Sequence, residues 1–161
     1  MNRARAAAVA AGALVVALAA SALAAVQTTR LSHEQASAEV RESALAAARQ
    51  IAVDIADYNY QTIDRDFTRV TQEATGKFLS DFSTQSAGVR DAIVAAKAVS
   101  QATVAAAGVV NASANSAQID VALNRTVTNA SSPKGTQAAF GLQMLLVKRG
   151  GRWLASEVNP L

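Results

Sequence analysis

From Ile119 onward the chain changes period. Ile119, Val121, Leu123 and Val127 alternate with Asp120, Asn124 and Thr128, and a period of two places successive side chains on opposite faces of an extended chain. Phe140, Leu142, Met144 and Leu146 alternate in the same way, and Val99–Val110 is rich in Val, Ala and Thr. Gly150-Gly151, between Arg149 and Arg152, is the signal of a two-residue hairpin loop. The last strand is therefore expected at Arg152–Val158, ended by Pro160, with Ser131–Gly135 as the loop between the second and third strands. Upstream of Val99 the period is helical. Val40, Ala44, Ala48, Ile51 and Ile55 form one stripe, with Glu34, Glu39, Glu42 and Arg49 off it. A break at Asn59–Thr62 precedes a short helical stretch at Asp64–Glu73. Thr75 then reads as a cap, with Gly76 inside the next element. A third helical run, Lys77–Lys97, carries Phe78, Phe82, Val89, Ile93 and Ala96 and is expected to be interrupted near Ser83–Gly88. Helices first, then about four meandering antiparallel strands, is an α+β arrangement with the long helix lying across a curved sheet.

Charge narrows the function. The formal net charge is +3, and the excess comes from Arg3, Arg5 and Arg30, because the first thirty residues contain no acid. A nucleic-acid-binding face is not expected from so local an excess. The chain has no cysteine, which removes disulfides, zinc ribbons and thiol nucleophiles. Its one histidine, His33, stands apart from the body of the domain, so imidazole chemistry and multi-histidine metal sites are not expected.

Residues 6–26 read AAAVAAGALVVALAASALAAV, without a charge. At ~1.5 Å per residue such a helix spans the roughly 30 Å hydrocarbon core. With Arg3 and Arg5 before it, the expected topology is a five-residue cytoplasmic tail (1–5), a membrane anchor (6–26) and an exported domain (27–161). Ala22-Leu23-Ala24 also fits a signal-peptide cleavage site, which would release the domain.

The stretch DYNYQTIDRDF, Asp57–Phe67, concentrates carboxylates and aromatic rings. Asp64-x-Asp66 lacks the further ligands, the glycine and the terminal glutamate of a calcium loop. Asp64 and Asp66 would diverge on a helix, and no base–partner pair stands out. The stretch is read as a corner of the fold. Tyr58, Ile63 and Phe67 plug it, an acid favours the start of the next helix, and Arg65 and Arg69 neutralise the acids in surface pairs. No catalytic, cofactor-binding or metal-ligating residue is assigned, and no cofactor.

Tyr58-Asn59-Tyr60-Gln61-Thr62-Ile63-Asp64-Arg65-Asp66, then Ala74-Thr75-Gly76-Lys77-Phe78, Gly108-Val109-Val110 and Gly150-Gly151-Arg152-Trp153-Leu154-Ala155-Ser156-Glu157-Val158 follow in order behind one apolar segment. This set resembles the Mce-associated membrane proteins, accessories of the "mammalian cell entry" lipid importers of actinobacteria. The resemblance implies a cystatin-like cone domain similar to nuclear transport factor 2. It also implies a non-enzymatic accessory role at the outer face of the cytoplasmic membrane, with Mce transporter subunits or the permease as partners. A second reading is direct lipid binding or transfer, with Ala105, Ala107, Ala122, Ala138 and Ala139 leaving room inside the sheet. A third is an isomerase- or cyclase-like enzyme, which needs a buried carboxylate such as Asp57 facing a cavity. Lys148, Arg149 and Arg152 gather at the last hairpin, as solubilising charge or as a face for anionic lipid or an acidic partner. Trp153 is expected to cover the core.

Overall fold

Helix α1 (residues 36–56) is followed by β1 (Tyr58–Asn59), α2 (Ile63–Glu73), α3 (Gly76–Ala96), β2 (Val99–Ser113), β3 (Ser116–Thr128), β4 (Thr136–Arg149) and β5 (Arg152–Pro160). These elements come from a computed structural model, which describes residues 36–161. The expected tail, the expected anchor at 6–26 and His33 lie outside the described residues. Among the described residues no helix is long and apolar enough to cross a membrane.

The strands form one antiparallel meander in the order β1-β2-β3-β4-β5. The sheet has five strands rather than the expected four, because Tyr58 and Asn59 pair with Ser100 and Val99. Two residues are too short to leave a periodic signature. Residues 40–161 form a compact unit of the α+β kind, with helices packed on a curled antiparallel sheet. Its core lies between α1 and one sheet face. Ala44, Ala48, Ile51, Ala52 and Ala56 meet Ile119, Val121, Leu123, Leu142, Met144, Leu146, Trp153 and Ala155 there. The buried helix face is shifted from the expected stripe, since Ala52 and Ala56 are buried while Ile55 is only partly so. Alanines at four-residue spacing let the helix backbone sit close to the sheet. Trp153 closes one end of the core and donates from Nε1 to Ser43 Oγ on α1 at 3.1 Å.

Helix α3 runs unbroken through Ser83–Gly88, contrary to the expected interruption. Thr84 Oγ1 donates to the Ser80 carbonyl and Ser86 Oγ to the Ser83 carbonyl, so these hydroxyls bond back to the helix rather than opening it. Phe82 packs on Phe67 and Phe78 and holds the helix where propensity alone would not. Within α3 only Ile93 is buried, and Val89 is 49% exposed.

Both sheet edges are managed. At β5 the backbone of residues 74–75 docks alongside: Ala74 bridges Ala155, and Thr75 N donates to the Ala155 carbonyl at 2.8 Å. At the other edge β1 covers only the start of β2. Along the remainder β2 carries two bulges, between Val104 and Ala106 and between Val109 and Asn111. The extra residues are Ala105 and Val110, and both are exposed. Gly150 and Gly151 adopt φ of 56° and 82°, the left-handed pair that a type I′ hairpin loop demands.

Candidate functional site

The corner at Asp57–Phe67 is built as expected in its apolar part. Ile63 is 3% exposed and packs with Ile93 and Ala98, flanked by Tyr58, Tyr60 and Phe67. Asp66 secures the turn: its Oδ2 accepts from the Asn59 backbone N–H at 3.1 Å and from Thr62 Oγ1 at 2.9 Å. Asp66 and Asp64 do diverge. Asp64 is exposed and pairs with Arg90 of α3, Nε to Oδ1 at 2.6 Å, an interaction that holds its carboxyl below the usual range.

The arginine assignment needs correction. Arg69 does not form an ordinary surface pair; it reaches between α1 and α2 to two buried acids. Its Nε lies 2.7 Å from Asp54 Oδ1 and an Nη lies 3.6 Å from Asp66 Oδ1, while Asp54 and Asp66 are each 6% exposed. The Nε–H is not aligned on an acceptor, so the contact acts as charge against charge. Gln50 Nε2 donates to the other Asp54 oxygen at 2.8 Å. Spacing explains the cluster: Asp66, Arg69, Val70 and Glu73 recur at three and four residues and share one face of α2.

Glu73 completes the group. Burial, the Asp54 charge and a hydrogen bond with Asp54 push its pKa up to about 7, against the pull of Arg69 and Arg152. Its Oε2 is buried without a hydrogen-bond partner, so its charged form is poorly solvated there. Burial likewise raises Asp57, Arg69 draws it back, and Asp66 and Asp54 push it up again. Four carboxyls thus gather around Arg69, with Arg152 also acting on Glu73. A carboxyl titrating near neutrality is suited to proton transfer; here it links two helices. Asp54 and Glu73 were missed in the sequence. The available signal was an acid, Asp54, inside the apolar run Ile51–Ala56.

Several open grooves mark the surface of the described residues. One of about 460 Å³ lies between α2 and α3, lined by Phe67, Phe82, Asp64 and Arg90 among others. Another of about 540 Å³ lies on the sheet, with Gln101, Thr103, Asn124 and Gln137. A third, of about 330 Å³, joins Arg41 of α1 to Val109–Ala112 of β2. None of these grooves includes Asp54, Asp57, Asp66 or Glu73. Of the alanines expected to leave room inside, Ala105, Ala122, Ala138 and Ala139 are exposed and only Ala107 packs against the core. Strand parity and the β2 bulge put them on the water side.

The separated motif pieces meet in space. Thr75 bonds Ala155, and a Cβ on Gly76 would come within 3.4 Å of the Ser156 carbonyl oxygen. Gly76 also has φ +55°, so an L side chain there would be strained. Ser156 is itself the extra residue of a β4–β5 bulge, and its Oγ donates to the Leu145 carbonyl.

This arrangement of helices and meander is shared with periplasmic domains of known structure. The periplasmic domain of DotI superposes with a TM-score of 0.61 at 19% identity, over 73% of this chain and 91% of that one. A periplasmic fragment of TraM gives 0.60 at 9% identity, over 74% and 95%. At such identities the likeness defines the fold alone. Residues 5–160 match the family described as "Uncharacterized protein Rv1363c/MT1408-like", and the chain belongs to that family. From Mycobacterium tuberculosis, Outer membrane protein Rv1973 is 31% identical over 129 residues, 76% of this chain and 80% of the relative. Uncharacterized protein Rv1363c is 29% identical over 128 residues, 79% of this chain but 49% of the relative. The chain therefore spans about half the length of Rv1363c.

Proposed function

We propose that the protein is a non-enzymatic adaptor of the cell envelope, anchored by residues 6–26, whose domain outside the cytoplasmic membrane helps assemble or stabilise an Mce-type lipid importer. The observation that carries this reading is the closed seam between α1 and the sheet. Ala44, Ala48, Ile119, Val121 and Met144 are all 0% exposed and belong to one packed cluster. A catalyst or lipid carrier of this architecture would need room there, whereas an adaptor needs a rigid core and a free surface. The four motif pieces that resemble Mce-associated proteins support the choice of importer. The "outer membrane" name of a relative supports an envelope location. Anchoring raises the effective concentration of the domain near a membrane partner, and binding the partner's native state stabilises it by mass action.

Mild-detergent purification of the full-length protein from its native membranes, with co-purifying proteins identified by mass spectrometry, tests this. Recovery of Mce subunits or their permease is expected. Recovery of the protein alone, under conditions where a known importer complex survives, would reject the adaptor role.

A further inference from the structure

The charges of the domain are segregated. Between Asp91 and Glu157 the only acid is Asp120, while Lys97, Arg125, Lys134, Lys148, Arg149 and Arg152 all fall in that span. Three of these cations sit at one end of the sheet. The β2–β3 and β4–β5 turns lie together there, joined by Lys148 N–H to the Asn115 carbonyl at 2.9 Å. The early part of α1 reaches the same end, since Ser43 meets Trp153 and Arg41 shares a groove with Val109–Ala112. Lys148 lies over the Trp153 ring at 5.4 Å, and the bulged Val110 is 56% exposed beside Arg41. The far end of α1 is tied to the opposite end of β2, Ser100 Oγ donating to the Ala56 carbonyl. The chain therefore enters the domain at its basic end.

We propose that this end, formed by the two hairpin tips with Arg41, Lys148, Arg149 and Val110, docks on an anionic phospholipid surface. The inference rests on the anchored reading above. Only residues 27–35 separate the expected span from α1, and nine extended residues reach at most roughly 30 Å. Arg30 and Glu34 in that connection offset one another, and Glu39 and Glu42 of α1 flank Arg41, so the net positive charge of this end comes from Lys148, Arg149 and Arg152 of the β4–β5 hairpin. Basic side chains held within a Debye length of anionic headgroups are attracted to them, and a small exposed apolar group among them adds contact at the interface. An acidic protein is the competing occupant; the short tether and the position of the patch favour lipid.

The natural chain has no cysteine, so Ala114→Cys at the tip and Lys134→Cys at the opposite end each give one labelling site in the full-length protein. Fluorophore-labelled protein is reconstituted in phosphatidylcholine vesicles with or without phosphatidylglycerol, containing a headgroup-attached quencher. The expected result is several-fold stronger quenching at position 114 than at 134. It should appear only with phosphatidylglycerol and be lost in high salt or with Arg149→Glu. Equal quenching at both positions, or no dependence on phosphatidylglycerol while the protein still floats with the vesicles, overturns the docking and leaves the anchor intact. Failure to float overturns both. Shielding of position 114 in native membranes but not in protein-free vesicles would assign the surface to a protein and overturn the lipid proposal.

Discussion

Helix α1 is sealed in two different ways along its length. Its first turns press Ala44, Ala48 and Ile51 onto the sheet, and its last turn hands Asp54 to Arg69 of α2. The apolar seam is insensitive to pH and tolerant of exchange among side chains of equal volume. The charged seam is neither. A buried ion pair contributes little net stability over a hydrophobic replacement, yet removing one partner is costly. The difference teaches that the same helix can derive its grip from area on one face and from specific partners on another. Only the second face responds to protons.

Removing the arginine should separate the seams most sharply. Arg69→Met leaves Asp54 and Asp66 without their cation and is expected to cost about 2–4 kcal/mol in urea unfolding, below the full value for a buried pair because Arg69 is 40% exposed. The loss should be larger at pH 8 than at pH 5, where protonation can relieve the crowded acids. An equal loss at both pH values would show that Arg69 acts by packing alone. In the apolar seam, Ala48→Leu overfills a fully buried position and should cost about 1–3 kcal/mol by the same measurement, with no pH dependence.

Glu73 sharpens the comparison further. Its folded pKa of about 7 exceeds the ordinary 4.5, so the folded state binds more protons between those values. Stability is then fully present below the unfolded pKa and falls as pH rises through 7. After discounting for partial exposure, the expected loss is on the order of 1 kcal/mol between pH 5 and pH 8. Asp57, also raised, contributes in the same direction. Glu73→Gln keeps a donor facing Asp54 and should flatten the thermal-stability profile over this range. An unchanged profile would place the proton elsewhere. Smallest of all, Asp64→Asn removes an exposed pair with Arg90 and should leave the melting temperature nearly unchanged at high salt.

The apolar seam was legible because its residues repeat at helical spacing on α1 and at every second position on β3 and β4. The corner could be placed for a similar reason, since Tyr58, Ile63 and Phe67 have no other place to go. Asp54 and Glu73 were not legible. Asp54 stands out only as an acid in an apolar run and Glu73 not at all, and only the packing of α2 on α1 brings them together. The unbroken α3 was also hidden, because the helix is held through Phe67, Phe78 and Phe82 while its polar middle lies in water. The basic end was visible as a list of cations. That it coincides with the entry point of the chain depends on the direction of α1 across the sheet.

The bulges of β2 have a consequence for crowding. A protein confined to a membrane meets its own copies far more often than one in dilution, and an open strand edge would then invite copies to join edge to edge into ribbons. Ala105 and Val110 each interrupt the regular ladder along the stretch of β2 that β1 leaves uncovered, so a second strand arriving there finds no continuous row to pair with. The irregularity that exposes Val110 thereby discourages copies of this domain from growing into fibres.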